Sequence, residues 1–115
     1  MSSHVDERSF QDAVVAVAQL AGWRCVHYRP ARRQDGSWRV PGAYDAAGFP
    51  DLTLVRAPRL VYAELKSERG RASEAQKEWL AALQLIPAVE VYLWRPSDWP
   101  AITATLTSES GWRAA

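Results

Sequence analysis

The tightest constraint in this sequence is a pair of β-prone runs, residues 51–56 and 59–66, held apart only by Ala57-Pro58. A connection that short joins strands only when they run antiparallel, so the pair reads as a hairpin. Strand side chains alternate faces, which puts Leu60, Tyr62, Glu64 and Lys66 on one side and Val61, Ala63 and Leu65 on the other. Counting outward from the turn sets Asp51 roughly opposite Glu64. An acid and a base two residues apart on an otherwise apolar strand need compensation, because an unpaired charge on a covered sheet face is costly. Two facing carboxylates repel, and they stay ionised together only with a cation between them. Hard oxygen ligands select Mg²⁺ or Mn²⁺.

The rest of the chain supplies layers for that hairpin. Residues 6–22 read as an amphipathic helix, with Phe10, Val14, Val17, Ala18 and Ala21 at three- and four-residue steps and Gly22 as the stop. Residues 23–28 suit a strand that ends at Pro30. Between Pro30 and Pro50 periodicity vanishes and Gly36, Pro41, Gly42 and Gly48 accumulate, which predicts a long loop. Ser73 opens a second helix reaching about Leu85, with Ala75, Trp79, Leu80, Leu83 and Ile86 as its apolar side and Pro87 beyond it. Residues 89–94 form another strand. A short helix then starts in Ser97-Asp98-Trp99-Pro100, serine serving as N-cap, and runs to about Leu106. This order predicts one α/β domain over residues 1–115, a central mixed sheet flanked by helices, with a core at about 6–106 and a loose tail at 107–115.

Composition narrows the function classes. A chain of 115 residues suits one hydrophobic core. No apolar stretch is long enough to span a bilayer, and the first residues lack a basic start followed by an apolar run, so the expectation is a cytoplasmic protein without membrane partners. The single cysteine, Cys25, excludes an internal disulfide and a zinc cluster, and reads as a buried small hydrophobe. A formal net charge of +1 is too weak to steer a polyanion globally, so any nucleic-acid argument rests on local charge.

Local charge is present. Arg29, Arg32, Arg33 and Arg39 surround one acid, Asp35, in the predicted loop, and Arg69, Arg71 and Lys77 follow Lys66 beyond the hairpin. Together they are candidate phosphate contacts on both sides of a metal, with Trp38 as either a base-stacking residue or a loop anchor. The loop itself is either a substrate contact or a solvated insertion. A cation held by Asp51 and Glu64 would polarise a scissile phosphate and lower the pKa of a bound water, while Lys66 orients that water or neutralises developing charge. Glu7 is positioned either to bring a third carboxylate to the site edge or to favour its helix through the macrodipole. Gln76 has two readings as well, since Ser73-Glu74-Ala75-Gln76 is itself a capping box. His27 reads as a packed or surface residue, and Trp79 and Trp94 as structural.

Gly48-Phe49-Pro50-Asp51, Glu64-Leu65-Lys66 and the downstream Gln76 resemble the core of the PD-(D/E)XK nucleases. More narrowly, the chain is similar to stand-alone VRR-NUC domains of phages and bacteria, over nearly its whole length. The resemblance implies the restriction-endonuclease-like fold and a metal-dependent DNA endonuclease. It implies Asp51, Glu64 and the Leu65 backbone carbonyl as metal ligands, Lys66 as the catalytic lysine, Glu7 as the first-helix acid and Gln76 as the helix glutamine that helps arrange the site. It further implies a homodimer acting on branched DNA such as Holliday junctions. A restriction-like enzyme cutting linear duplex, and a catalytically silent fold that only holds DNA, are the rival expectations.

Overall fold

The computed structural model describes residues 6–28, 31–32, 38–39 and 44–109, and for 31–32 and 38–39 the backbone only. Its elements are α1 (Glu7–Leu20), β1 (Arg24–His27), β2 (Ala31–Arg32), β3 (Trp38–Arg39), β4 (Leu52–Arg56), β5 (Arg59–Leu65), α2 (Glu74–Gln84), β6 (Val89–Trp94), a 3₁₀ turn (Pro96–Asp98) and α3 (Trp99–Thr107). Four strands form one mixed sheet in the order β1-β4-β5-β6. β4 and β5 are the antiparallel hairpin, in the register Leu52↔Ala63 to Arg56↔Arg59, which carried one step further sets Asp51 opposite Glu64. β5 and β6 are parallel, and α2 is the crossover that parallel neighbours require.

Alternation assigns the layers. Val61, Ala63 and Leu65 of β5 join Leu52, Leu54, Trp94, Phe10, Val14, Ala18, Ile102 and Leu106 in one buried cluster, so α1 and α3 cover that face. α2 lies on the opposite face, against β6 and over Glu64, to which its Gln76 is bonded. The result is a single α/β domain, a four-stranded mixed sheet with helices on both sides.

The turn end of the hairpin is tied to the helices by two arginines. Arg59, buried, makes a bidentate pair with Glu90 (2.7 Å for each bond) and donates to the Thr105 and Ser108 carbonyls. Arg56 donates to the carbonyls of Ala21, Leu106 and Ser108. Both guanidinium groups stack over the Trp23 ring, at 4.7 and 4.8 Å from its centroid, and the Trp23 indole donates to Leu106 O. The last carbonyls of α1 and α3, which no helix can satisfy internally, thereby gain charged donors.

Several expectations need correction. The stretch 30–50 contains a short antiparallel ribbon, Ala31↔Arg39 and Arg32↔Trp38, whose two-residue strands are too brief to leave a periodic signal. Ser97 does not cap α3. The Asp98 carboxylate instead accepts from Arg95 N–H and closes the 3₁₀ turn, while Ser97 N–H donates to Glu68. Along α2 only Leu83 is buried, and Ile86, beyond the helix, is largely exposed. Cys25 is half-buried and packs at the edge of the core, where burial raises its thiol pKa. Ser108, assigned to a loose tail, is held by both arginines. No helix among the described residues is long and apolar enough to cross a membrane.

Candidate active site

Asp51 leaves a turn that is locked against α2. Gly48 has φ +84°, and a Cβ built there would lie 2.5 Å from the Ala75 carbonyl carbon and 2.6 Å from its oxygen, so only glycine permits this approach. Phe49 inserts edge-on among Tyr28, Tyr62 and Trp79, with centroid separations of 5.4, 5.7 and 5.1 Å. The Trp79 indole donates to Asp45 O, the Tyr28 hydroxyl to Ala46 O, and Tyr28 N–H to Asp51 O. Pro50 is fully buried. With its backbone fixed, Asp51 turns its carboxylate onto β5, where Oδ2 accepts from Leu65 N–H at 2.9 Å.

Glu64 lies beside that contact and is 1 % exposed. Its Oε2 accepts from the Gln76 side-chain amide at 2.7 Å and lies 3.7 Å from Lys66 Nζ. Its Oε1 is the buried side-chain oxygen or nitrogen that lacks a hydrogen-bond partner among the described residues. Burial, followed by the charge of Asp51, pushes the Glu64 carboxyl up to about 8, against a smaller downward pull from Lys66. Lys66 itself keeps 13 % of its side chain exposed, so its ammonium is at the rim of the site.

The two readings of Gln76 turn out to be compatible. Its Oε1 accepts from Ser73 N–H (2.8 Å), its backbone N–H donates to Ser73 Oγ (3.1 Å), and its Nε2 still reaches Glu64. One amide completes the capping box with one end and braces a buried carboxylate with the other.

Asp51, Glu64, Lys66 and Gln76 therefore converge. The Leu65 carbonyl belongs to the peptide between the Glu64 and Lys66 side chains. Glu7 is exposed in the first turn of α1, a place the helix dipole favours for an acid, and no hydrogen bond or ion pair among the described residues links it to the other four. Among the described residues no three acids, histidines or cysteines gather as a ready metal cluster. The site's oxygen donors among the described side chains are the Asp51 and Glu64 carboxylates. The unpaired oxygen of Glu64 beside Asp51 is the feature that fits a hard divalent cation.

The proposed DNA contacts divide. Arg69, Arg71 and Lys77 are exposed just past the site, Lys77 pairing with Glu74 at 3.3 Å. Arg29 and Arg33 lie outside the described residues, as do the side chains of Arg32, Trp38 and Arg39, whose backbones form the ribbon. His27 is exposed on β1, an edge strand of the four-stranded sheet.

Sequence reasoning missed Gly48 and Phe49 as the wedge that seats Asp51, and Arg95. The Arg95 guanidinium donates to the carbonyls of Ser67 (2.7 Å), Glu68 (3.2 Å) and Gly70 (2.6 Å), fixing the segment that follows Lys66. Gly48 directly before Phe49-Pro50 was the available signal for the first; nothing local announces the second. Comparison of this chain with family models, with curated proteins and with solved structures finds no match in any of the three.

Proposed function

We propose that this chain is a Mg²⁺- or Mn²⁺-dependent endonuclease that hydrolyses DNA phosphodiesters, with selectivity for branched DNA such as four-way junctions. The observation that carries the reading is Glu64, a carboxylate removed from solvent with one oxygen unpaired, next to the Asp51 carboxylate and the Lys66 ammonium. A buried acid so placed is costly to ionise unless a cation completes it. Asp51, Glu64 and the Leu65 carbonyl would hold the ion. When bound, a divalent cation supplies Lewis acidity toward phosphate oxygen and a more acidic water.

The chain's own residues divide the remaining work. Gln76 holds the Glu64 carboxylate by one oxygen and leaves the other available. Asp51, tied to Leu65 N–H, keeps its position relative to the β5 backbone. Lys66, at the rim, orients the attacking water or neutralises charge developing on phosphate, an electrostatic role worth most where solvent is partly excluded. Arg69 and Arg71 lie on the exposed flank after Lys66, suited to phosphate contacts that carry no sequence information. Among the described residues no element has the arrangement of a base-reading helix, which favours recognition of DNA shape. Two copies in a homodimer would present two such sites to a junction.

The test is a Mg²⁺/Mn²⁺ cleavage panel over linear, flap, splayed and four-way DNA, with Lys66→Ala as control. Cleavage of branched DNA is expected, with the variant slower by about 10²- to 10³-fold while remaining folded. Cutting of linear duplex at defined sites would favour the restriction-like alternative. Tight DNA binding without any nicking would favour the silent one.

A further inference from the structure

The first turn of α2 touches both carboxylates of the site through different partners. Gly48, three residues before Asp51, presses on Ala75 so closely that a Cβ would overlap its backbone. The next residue, Gln76, reaches Glu64 with Nε2. The position of this turn and the orientation of the Gln76 amide therefore bear on how Asp51 and Glu64 face one another.

Ser73 controls both. Its hydroxyl accepts from Gln76 N–H at 3.1 Å, fixing the start of the helix. Its own N–H donates to Gln76 Oε1 at 2.8 Å. That second bond settles the polarity of the amide. With Oε1 occupied by a main-chain donor, the NH₂ end faces the Glu64 carboxylate, whereas a flipped amide would set oxygen against oxygen. Glu64 Oε2 is thereby fixed at 2.7 Å from its donor, and Oε1 is left as the open ligand.

We propose that Ser73 is a positioning residue of the metal site, acting on Glu64 through Gln76, a role that rests on the metal-dependent reading given above. Ser73 itself is exposed and would touch neither metal nor DNA in this role. The helix cap is at once the brace of the second-sphere donor, and second-sphere partners of metal ligands commonly change affinity by about 10- to 100-fold when removed.

The natural control is the other capped helix. Asp6 caps α1 as Ser73 caps α2, accepting from Ser9 N–H at 2.7 Å, on a helix that supplies none of the four converging residues. The full chain and its Ser73→Ala, Ser73→Thr and Asp6→Ala variants are titrated with Mn²⁺ by calorimetry, at a temperature where circular dichroism shows all four folded. In parallel, the side-chain amide signals of Gln76 are followed by ¹⁵N-resolved NMR without metal. Ser73→Ala keeps the main-chain N–H from which Gln76 Oε1 accepts but removes the hydroxyl that fixes the Gln76 backbone, so it is expected to weaken Mn²⁺ binding about tenfold and to shift the Gln76 side-chain amide signals as the brace moves. Ser73→Thr, which keeps a hydroxyl acceptor, restores both, and Asp6→Ala changes neither although it lowers the melting temperature. Unchanged affinity and unchanged amide signals in Ser73→Ala would overturn the proposal, as would equal weakening in Asp6→Ala. If the wild-type chain binds no Mn²⁺, the metal reading fails, and the amide signals alone decide whether Ser73 orients Gln76.

Discussion

Gly48→Ala tests whether the turn before Asp51 is seated on α2 as described, and Gly22→Ala provides its internal control. Both glycines have positive φ, +84° and +92°. An alanine in that region carries backbone strain of about 1–2 kcal/mol. At Gly22 that is nearly all, because the nearest atom to an added Cβ, Arg56 Cδ, is 3.7 Å away. At Gly48 the added carbon falls 2.5–2.7 Å from the Ala75 backbone and Cβ. The turn must then retreat by roughly 1 Å, and overpacking of this kind costs a further ~1–3 kcal/mol. The sum, about 2–5 kcal/mol, lowers the melting temperature by roughly 8–20 °C, against roughly 4–8 °C for Gly22→Ala. Function separates the two more sharply. A displacement near 1 Å at a reacting centre is worth about 10²-fold in rate, so Gly48→Ala should lose most cleavage and metal affinity while Gly22→Ala retains both. Thermal unfolding, Mn²⁺ titration and cleavage rate provide the readouts. Equal behaviour of the two variants would refute the packing argument.

Three further outcomes follow from the same contacts. Asp51→Asn keeps an oxygen to accept from Leu65 N–H, so folding should survive while Mn²⁺ affinity, read by calorimetry, falls by at least about tenfold. In metal-free protein the Glu64 carboxyl is raised from 4.5 to about 8, so ionisation opposes folding, and stability falls as pH climbs between those values. The span amounts to at most about 5 kcal/mol; denaturant midpoints across that window should drop for the wild type and flatten in Glu64→Gln. Glu90 has the opposite sign: burial alone would raise its pKa, but hydrogen bonds from Arg59 and Tyr92 outweigh it and hold the carboxyl below 4.5. Its stabilisation is complete above 4.5 and lost on acidification through the lower folded value; Arg59→Ala should cost about 3–5 kcal/mol at neutral pH and shift acid unfolding to higher pH.

What the sequence disclosed depended on how local the cause was. Ala57-Pro58 fixed the hairpin and, through simple counting, the Asp51–Glu64 register, because a two-residue turn leaves one pairing. The strand Val89–Trp94 and the cap at Ser73 were equally plain, each set by its immediate neighbours. The ribbon at Ala31–Arg32 and Trp38–Arg39 left no period to detect. The carbonyl side of the Arg56 and Arg59 clasp was invisible for a different reason: those acceptors lie 35–52 residues away in sequence, and no side-chain pattern marks a carbonyl. Glu90, however, was within reach. The reasoning applied to Glu64, an acid stranded in an apolar strand, applies equally to Val89-Glu90-Val91, and it would have demanded a buried cationic partner.

Those two acids give the strongest internal argument about the site. Both are on adjacent strands of one sheet, and both are almost wholly buried, 1 % exposed for Glu64 and 5 % for Glu90. At Glu90 each oxygen is served: Oε1 accepts from Arg59 Nη2 and the Tyr92 hydroxyl, and Oε2 from Arg59 Nε. Its pKa is correspondingly lowered. At Glu64 one oxygen is braced by Gln76, the other has no partner among the described residues, the Lys66 ammonium stands off at 3.7 Å, and the pKa rises. A fold that neutralises one buried carboxylate with a bidentate arginine evidently has the means to do so at the second, yet there it supplies another carboxylate and a lysine at the rim. Optimising stability alone would favour an arginine or an apolar residue at position 64. Leaving that oxygen open makes physical sense where a ligand from outside the chain completes it, and the difference between Glu90 and Glu64 is the structural feature on which the proposed metal site at the open end of the hairpin rests.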